Sequence, residues 1–481
     1  MHMRRMAVVA LLALAFAALI PVESVRADVP QLPPAVTRAL ARADIPADSV
    51  SLYVREANSD EVLVALNEEA ARSPASTIKV LTTFAALDML GPAYTWKTRA
   101  YLGGPLTGGT LDGDLTLVGG GDPYLTAERW WSFVQNLRAL GLERIAGDLV
   151  IDNTLFAPTA ERRGDFDNQP FRSYNVLPDA LMVNFQTSNF TMIAHPDKAR
   201  PEVTINPHPA NLVIRNQLRV GPGRCQGYNR GVTFDMPDPD DPNTIAIRGV
   251  LAAACGRYAI SRAVMTAPDY AYGTFRTFWT QSGGQLDGTL KLAPLAEQAR
   301  LFHTFESVPL ADVIRLVNKF SNNMMARHLL LTLGLERYGA PATVENGREA
   351  VRAWLAERGI EIPGFVLDNG SGLSRIERLT ARGLGEVLDA AWHSPFMPEL
   401  AASLPLAALD GTLRQRFDVP GMQGRLRMKT GRLDHVSGLA GYVHAASGRT
   451  FVVVILVNHP GAHTGSGERL QTDIVRWVFD Q

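Results

Sequence analysis

The segment SPASTIKVLT (73–82) places Ser76 three positions before Lys79. On a helix, positions i and i+3 share a face, so hydroxyl and amine emerge on the same side. A serine hydroxyl attacks a carbonyl only when a base takes its proton. Lysine is that base if its pKa falls well below ~10.4, its ordinary value. Burial or a second cation nearby lowers it. Six of the 47 basic residues are lysine and the rest are arginine, which stays charged in proteins. Each lysine is therefore informative. Taken alone, the pair has a plainer reading, in which Ser76 caps a helix and Lys79 is solvated.

Two further segments complete a set. Ser321-Asn322-Asn323 follows a helical stretch, and Lys429-Thr430-Gly431 lies on an expected strand. Ser321 could relay a proton to a leaving group, and Asn323 could hold Lys79 and a substrate amide. Lys429 could depress the pKa of Lys79 and, with Thr430, grip a substrate carboxylate. Each piece has an ordinary alternative, and Ser173-Tyr174-Asn175 is a rival S-x-N match. The ordered set S-x-x-K, S-x-N, K-T-G uses two of the six lysines and is far more specific than any one part. It is the signature of penicillin-binding proteins and β-lactamases.

Elements must bring these pieces together. Residues 49–69 read as two strands around an Asn58-Ser59-Asp60 turn, followed by a buried helix over 76–90 that Gly91-Pro92 ends. From about 96 to 292 the chain turns glycine-rich and strand-like, with one helix near 126–140. Helices return at 308–334, 344–358 and 381–393. The C-terminal part reads as three strands, 426–433, 437–446 and 449–458, and a terminal helix, 467–481. The N-terminal hairpin and the C-terminal meander are expected to share one antiparallel sheet flanked by helices, an α/β (α+β) domain carrying the middle as an insertion.

The chain resembles the low-molecular-mass class C penicillin-binding proteins, the D-alanyl-D-alanine carboxypeptidase/endopeptidase family (peptidase family S13). The resemblance covers nearly all of the chain after residue 27. It rests on PASTIKVLTTFAALDMLGPAYTWKT, GDLTLVGGGDPYL, GDLVIDNTLF, SNNMMARHLL, DNGSGLSR (368–375) and LPLAALDGTLRQRF (404–417). It implies a serine DD-peptidase of the β-lactamase/DD-peptidase-like fold. Ser76 is then the acylated nucleophile and Lys79 its base. Ser321 and Asn323 form the second motif, and Lys429, Thr430 and Gly431 the third. The backbone N–H groups of Ser76 and Arg432 would form the oxyanion hole. Arg432 departs from the family pattern, which has serine or threonine after K-T-G, and could take over carboxylate recognition. Asp165 and Asp167 are candidate counterparts of an acidic residue that reads a substrate amine. No metal or organic cofactor is implied. The partners implied are peptidoglycan stem peptides, with β-lactams as covalent inhibitors. A β-lactamase or esterase on the same fold, and a non-turnover module that binds wall peptides, are the alternatives.

The expected domains are residues 28–95 with 293–481 as the catalytic unit, 96–190 with 265–292 as a first inserted unit, and 191–264 as a β-rich second. Residues 1–27 read as a cleaved secretory signal peptide, with Arg4 and Arg5 before an apolar run and small residues at 25 and 27. That implies export to the periplasm. Without them the net charge is near −3, which is not a nucleic-acid-binding balance. In an exported chain, Cys225 and Cys255 are expected to pair.

Overall fold

The structure, a computed structural model, describes residues 32–481. The expected leader lies outside the described residues. Among these, no helix is long and apolar enough to cross a membrane.

One five-stranded antiparallel sheet joins the two ends of the chain. Its order is Leu426–Leu433, Val436–His444, Thr450–Asn458, Val50–Glu56, Val62–Leu66. The hairpin and the meander meet where Val50–Glu56 pairs with Thr450–Asn458, Leu52 opposite Ile455. The run TFVVVILVN alternates between two cores. Val452, Val454 and Leu456 face one, and Val453, Ile455 and Val457 face the other. A strand covered on both faces needs apolar residues at every position, which explains the unbroken run. Helices Pro34–Ala43 and Ser466–Phe479 cover one face. Helices Lys79–Leu90, Leu310–Phe320, Asn323–Tyr338, Val344–Glu357 and Ala381–Trp392 build the core on the other.

The helix Lys79–Leu90 is buried from Lys79 through Leu87. Its entry differs from the expected single helix over 76–90. Residues Ala75–Ile78 form a tight 3₁₀ turn that feeds the α-helix. The stretch 308–334 breaks into two helices at Ser321, whose left-handed backbone (φ 56°, ψ 39°) ends the first. Asn322 then caps the second by accepting from the Met325 N–H at 3.1 Å.

The insertion has its own core, centred on Trp130, Phe133, Phe275 and Trp279 of helices Ala127–Ala139 and Ala267–Gln281. These helices pack with a five-stranded sheet in the order Leu290–Leu292, Leu149–Asp152, Leu115–Val118, Lys97–Leu102, Arg300–Glu306. The expected boundary at 292 falls inside this unit, because Arg300–Glu306 pairs with Lys97–Leu102 along its length. Two three-stranded sheets follow, one built on Ser188–Ile193 and one on Thr244–Ala252. Ser188–Ile193 begins three residues before the expected start of the second unit, at 191. Val213–Gly221 and Thr244–Ala252 pair in parallel. Cys225 and Cys255 are joined by a disulfide.

Candidate active site

Three elements converge on Ser76. The 3₁₀ turn presents it half-buried, the junction at Ser321 lies opposite, and the edge strand Leu426–Leu433 closes the third side. Gly431 is where the strand touches the turn. A Cβ there would sit 2.6 Å from the Pro74 carbonyl oxygen and 3.0 Å from the Ser76 nitrogen. The third position of K-T-G thus has no room for a side chain. The contact also lays the strand along the backbone N–H of Ser76.

Lys79 has no solvent exposure. Its Nζ is 3.0 Å from Ser76 Oγ and 2.8 Å from Asn323 Oδ1, and it donates to the Ser371 carbonyl. Burial pulls its pKa down to about 7, against a smaller upward pull from Glu377. An amine in that range is neutral in a large fraction of molecules at neutral pH, as a base for serine must be.

Lys429 is equally buried. Its Nζ donates to Ser321 Oγ at 2.9 Å and to the Thr430 carbonyl at 2.6 Å. Burial, then the charge of Lys79, holds its pKa well below the usual lysine range. Of the two expected causes, burial or a second cation, burial is the main one at both lysines. Enclosure also sets Lys429 toward Ser321 rather than toward a ligand in the open cleft. Thr430 Oγ1 hydrogen-bonds Thr412 Oγ1 at 2.7 Å. Arg432 is well exposed, and its Nη2 donates to the His463 carbonyl at 2.5 Å while Nη1 lies 4.0 Å from Glu468.

The rival motif faces the site from the opposite wall. Tyr174 lines the same cleft, but Asn175 donates to Asp167 Oδ1 at 2.7 Å, and it is Asn323 that reaches Lys79. The cleft, about 490 Å³, has Ser76, Ser321, Asn323 and Arg432 on one side and Phe166, Asp167 and Tyr174 from the insertion on the other. Asp165 is not part of this wall; its carboxylate accepts from the Arg162 N–H.

Sequence reasoning missed the turn 368–373 as a working part. The Ser371 carbonyl is a partner of Lys79 Nζ and lies 3.4 Å from Ser76 Oγ. Gly372 (φ +83°) allows this approach, since a Cβ there would lie 2.1 Å from the Ala75 oxygen. Beneath the turn, the fully buried Glu377 accepts from the N–H groups of Asn369 and Gly370 at 3.1 and 3.0 Å. Its Oε2 has no hydrogen-bond partner. Burial pushes its pKa up to about 7. The DNGSGLSR segment was the available signal, but a backbone carbonyl has no residue type to reveal it.

Residues 32–479 match the sequence profile of the D-Ala-D-Ala carboxypeptidase 3 (S13) family. The chain belongs to that family. It is 28% identical over 424 residues to D-alanyl-D-alanine carboxypeptidase DacB of Haemophilus influenzae, covering 87% of each chain. It is 30% identical over 411 residues to a D-alanyl-D-alanine carboxypeptidase of an Actinomadura species, covering 81% of this chain and 74% of that protein. Among solved structures, penicillin binding protein 4 of Haemophilus influenzae superposes with a TM-score of 0.80 at 24% identity, over 93% of this chain and 99% of that one. The shared fold places this enzyme's sheet, helices and insertion in the same overall architecture.

Proposed function

We propose that this S13 enzyme is a serine DD-peptidase that works through an acyl-enzyme at Ser76. The observation that carries the reading is a buried lysine, poised near neutrality, 3.0 Å from the serine hydroxyl. Lys79 takes the Ser76 proton as Oγ attacks the carbonyl of the penultimate D-alanine. The N–H groups of Ser76 and Arg432 receive the oxyanion. Ser321, hydrogen-bonded to Lys429, delivers a proton to the departing amine, and water then releases the acyl group. A terminal D-alanine as leaving group makes the reaction a carboxypeptidase. The amine of a cross-linked peptide makes it an endopeptidase.

The edge position of Leu426–Leu433 supports binding the peptide as an added strand. Thr430 and Arg432 are the groups for its carboxylate, and Asp167 in the opposite wall is the candidate reader of a substrate amine. β-Lactams enter the same path and acylate Ser76; a structure of the Haemophilus influenzae relative is a complex with a β-lactam. The wall-peptide substrate implies a periplasmic setting.

The test is intact-protein mass after incubation with benzylpenicillin, followed over time for wild type and Ser76→Ala. A lasting adduct on wild type alone is the expected result. Rapid loss of the adduct with accumulating penicilloate would replace the peptidase with a β-lactamase. An adduct on Ser76→Ala would remove the nucleophile assignment.

A further inference from the structure

Three of the six lysines are buried, and Lys79 and Lys429 account for two of them. The third, Lys319, stands two positions before Ser321 and takes no part in the steps above. A buried ammonium needs acceptors and a counter-charge. Lys319 finds both in the segment 404–410. Its Nζ donates to the Leu404 carbonyl at 2.6 Å and to the two carboxylate oxygens of Asp410 at 2.9 and 2.7 Å. Burial pulls its pKa down, and Asp410 opposes that pull. Asp410 Oδ1 also accepts from the Leu406 N–H at 2.8 Å, which folds the segment around the ammonium.

The same segment touches the third motif. Gly411 (φ +56°) lies against the Lys319 carbonyl, where a Cβ would come within 2.7 Å of the oxygen. The hydroxyl of the next residue, Thr412, accepts from Thr430 Oγ1 at 2.7 Å. Met428 N–H donates to the Pro405 carbonyl at 3.0 Å, and Ala407 N–H donates to the Leu426 carbonyl at 3.1 Å. One short segment is thus tied both to the end of the helix Leu310–Phe320 and to the strand that carries K-T-G.

Ser321 needs such a support. Its left-handed backbone (φ 56°, ψ 39°) is unfavourable for a residue with a Cβ and persists where the surroundings over-determine it. On one side Asn322 caps the next helix at Met325. On the other, the Lys319–Asp410 pair and the Gly411 contact fix the last turn of the preceding helix.

We propose that Asp410 is a positioning residue: through Lys319 it holds Ser321 where its proton reaches the departing amine, at a fixed spacing from Thr430. The inference rests on the DD-peptidase reading. It gives the segment LPLAALDGTLRQRF a task in the reaction, the support of the residue that meets the leaving group.

The experiment compares kcat/KM for a peptide ending in D-Ala-D-Ala with that for its thioester analogue, which donates the same acyl group. An amine takes up a proton as it leaves, whereas a thiolate departs without one, so the thioester does not depend on Ser321 as an acid. Asp410→Asn and Lys319→Met are each expected to lower the peptide value by roughly tenfold to a hundredfold and the thioester value by less than about twofold. The two residues act as a unit, so the double variant should fall no further than the single ones. Asp410→Asn keeps the shape and an acceptor for the Leu406 N–H, so it reads the proposal even where Lys319→Met does not fold. Equal losses with both donors, no loss with the peptide, or additive losses in the double variant would overturn the assignment. A wild type that releases no D-alanine would instead remove the DD-peptidase reading. The positioning of Ser321 is then read from acylation by benzylpenicillin, whose lactam nitrogen also leaves as an amine, against the thioester.

Discussion

Lys429 Nζ and Ser321 Oγ are joined by a 2.9 Å hydrogen bond across 108 positions of sequence. Lys79 and Asn323 are joined by one of 2.8 Å across 244. The two lysines thereby have different partners. In the proposed mechanism Lys79 serves Ser76, and Lys429 serves Ser321.

Acylation should follow the protonation of Lys79. Only the neutral amine can accept the Ser76 proton, so the rate constant for benzylpenicillin acylation should rise with pH, with a midpoint near 7. Stopped-flow acylation between pH 5 and 9 checks this. A flat profile would show that Lys79 is not the base.

Glu377→Gln should move that limb to lower pH, because the carboxylate raises the pKa of Lys79. The amide oxygen can still accept from Asn369 and Gly370, so the turn should persist. Stability supplies a second reading. Glu377 is raised from 4.5 to about 7 in the folded chain, so the fold binds its proton more tightly than the unfolded chain does. Its contribution is full below about pH 4.5 and is lost as pH rises through 7. The Tm of the variant relative to wild type should therefore increase from pH 5 to pH 8. An unmoved acylation limb would remove Glu377 from the electrostatics of the site.

Arg432→Thr should lower the second-order acylation constant by roughly threefold to tenfold at low salt, with the gap narrowing as salt rises. The guanidinium is the exposed cation directly after K-T-G, and its exposure makes its attraction for a carboxylate easy to screen. Equal rates for the two proteins at every salt concentration would eliminate Arg432 as a carboxylate group.

Replacing Cys225 and Cys255 by serine should destabilise the insertion by about 3 kcal/mol, from the loop-closure entropy of a loop this long. The two cysteines are 30 positions apart, and the loop they close carries Tyr228 and Asn229. Denaturant unfolding, read by hydrogen exchange in 213–252, measures the effect. Unchanged protection there would mean that the strand pairing alone holds the unit.

The proposed chemistry can be read from the sequence because reactive side chains are told by their type. A lysine at i+3 from a serine, and two of six lysines inside motifs, single out Ser76, Lys79 and Lys429 as candidates, and the fold brings the first two within 3.0 Å. The shared sheet was legible too, since the N-terminal hairpin and the C-terminal meander both read as strands with nothing else to pair with nearby in sequence. Other features left no such trace. The Ser371 carbonyl belongs to the backbone, and its place beside Lys79 depends on a glycine turn lying 292 positions away. Burial lowers Lys79, and burial is a property of packed helices rather than of the S-x-x-K spacing. The parallel pairing of Val213–Gly221 with Thr244–Ala252 inside the insertion depends on long-range register. Residue type and local spacing name the candidate reacting groups. Only the packed chain decides their distances, their protonation and which of them face the same cleft.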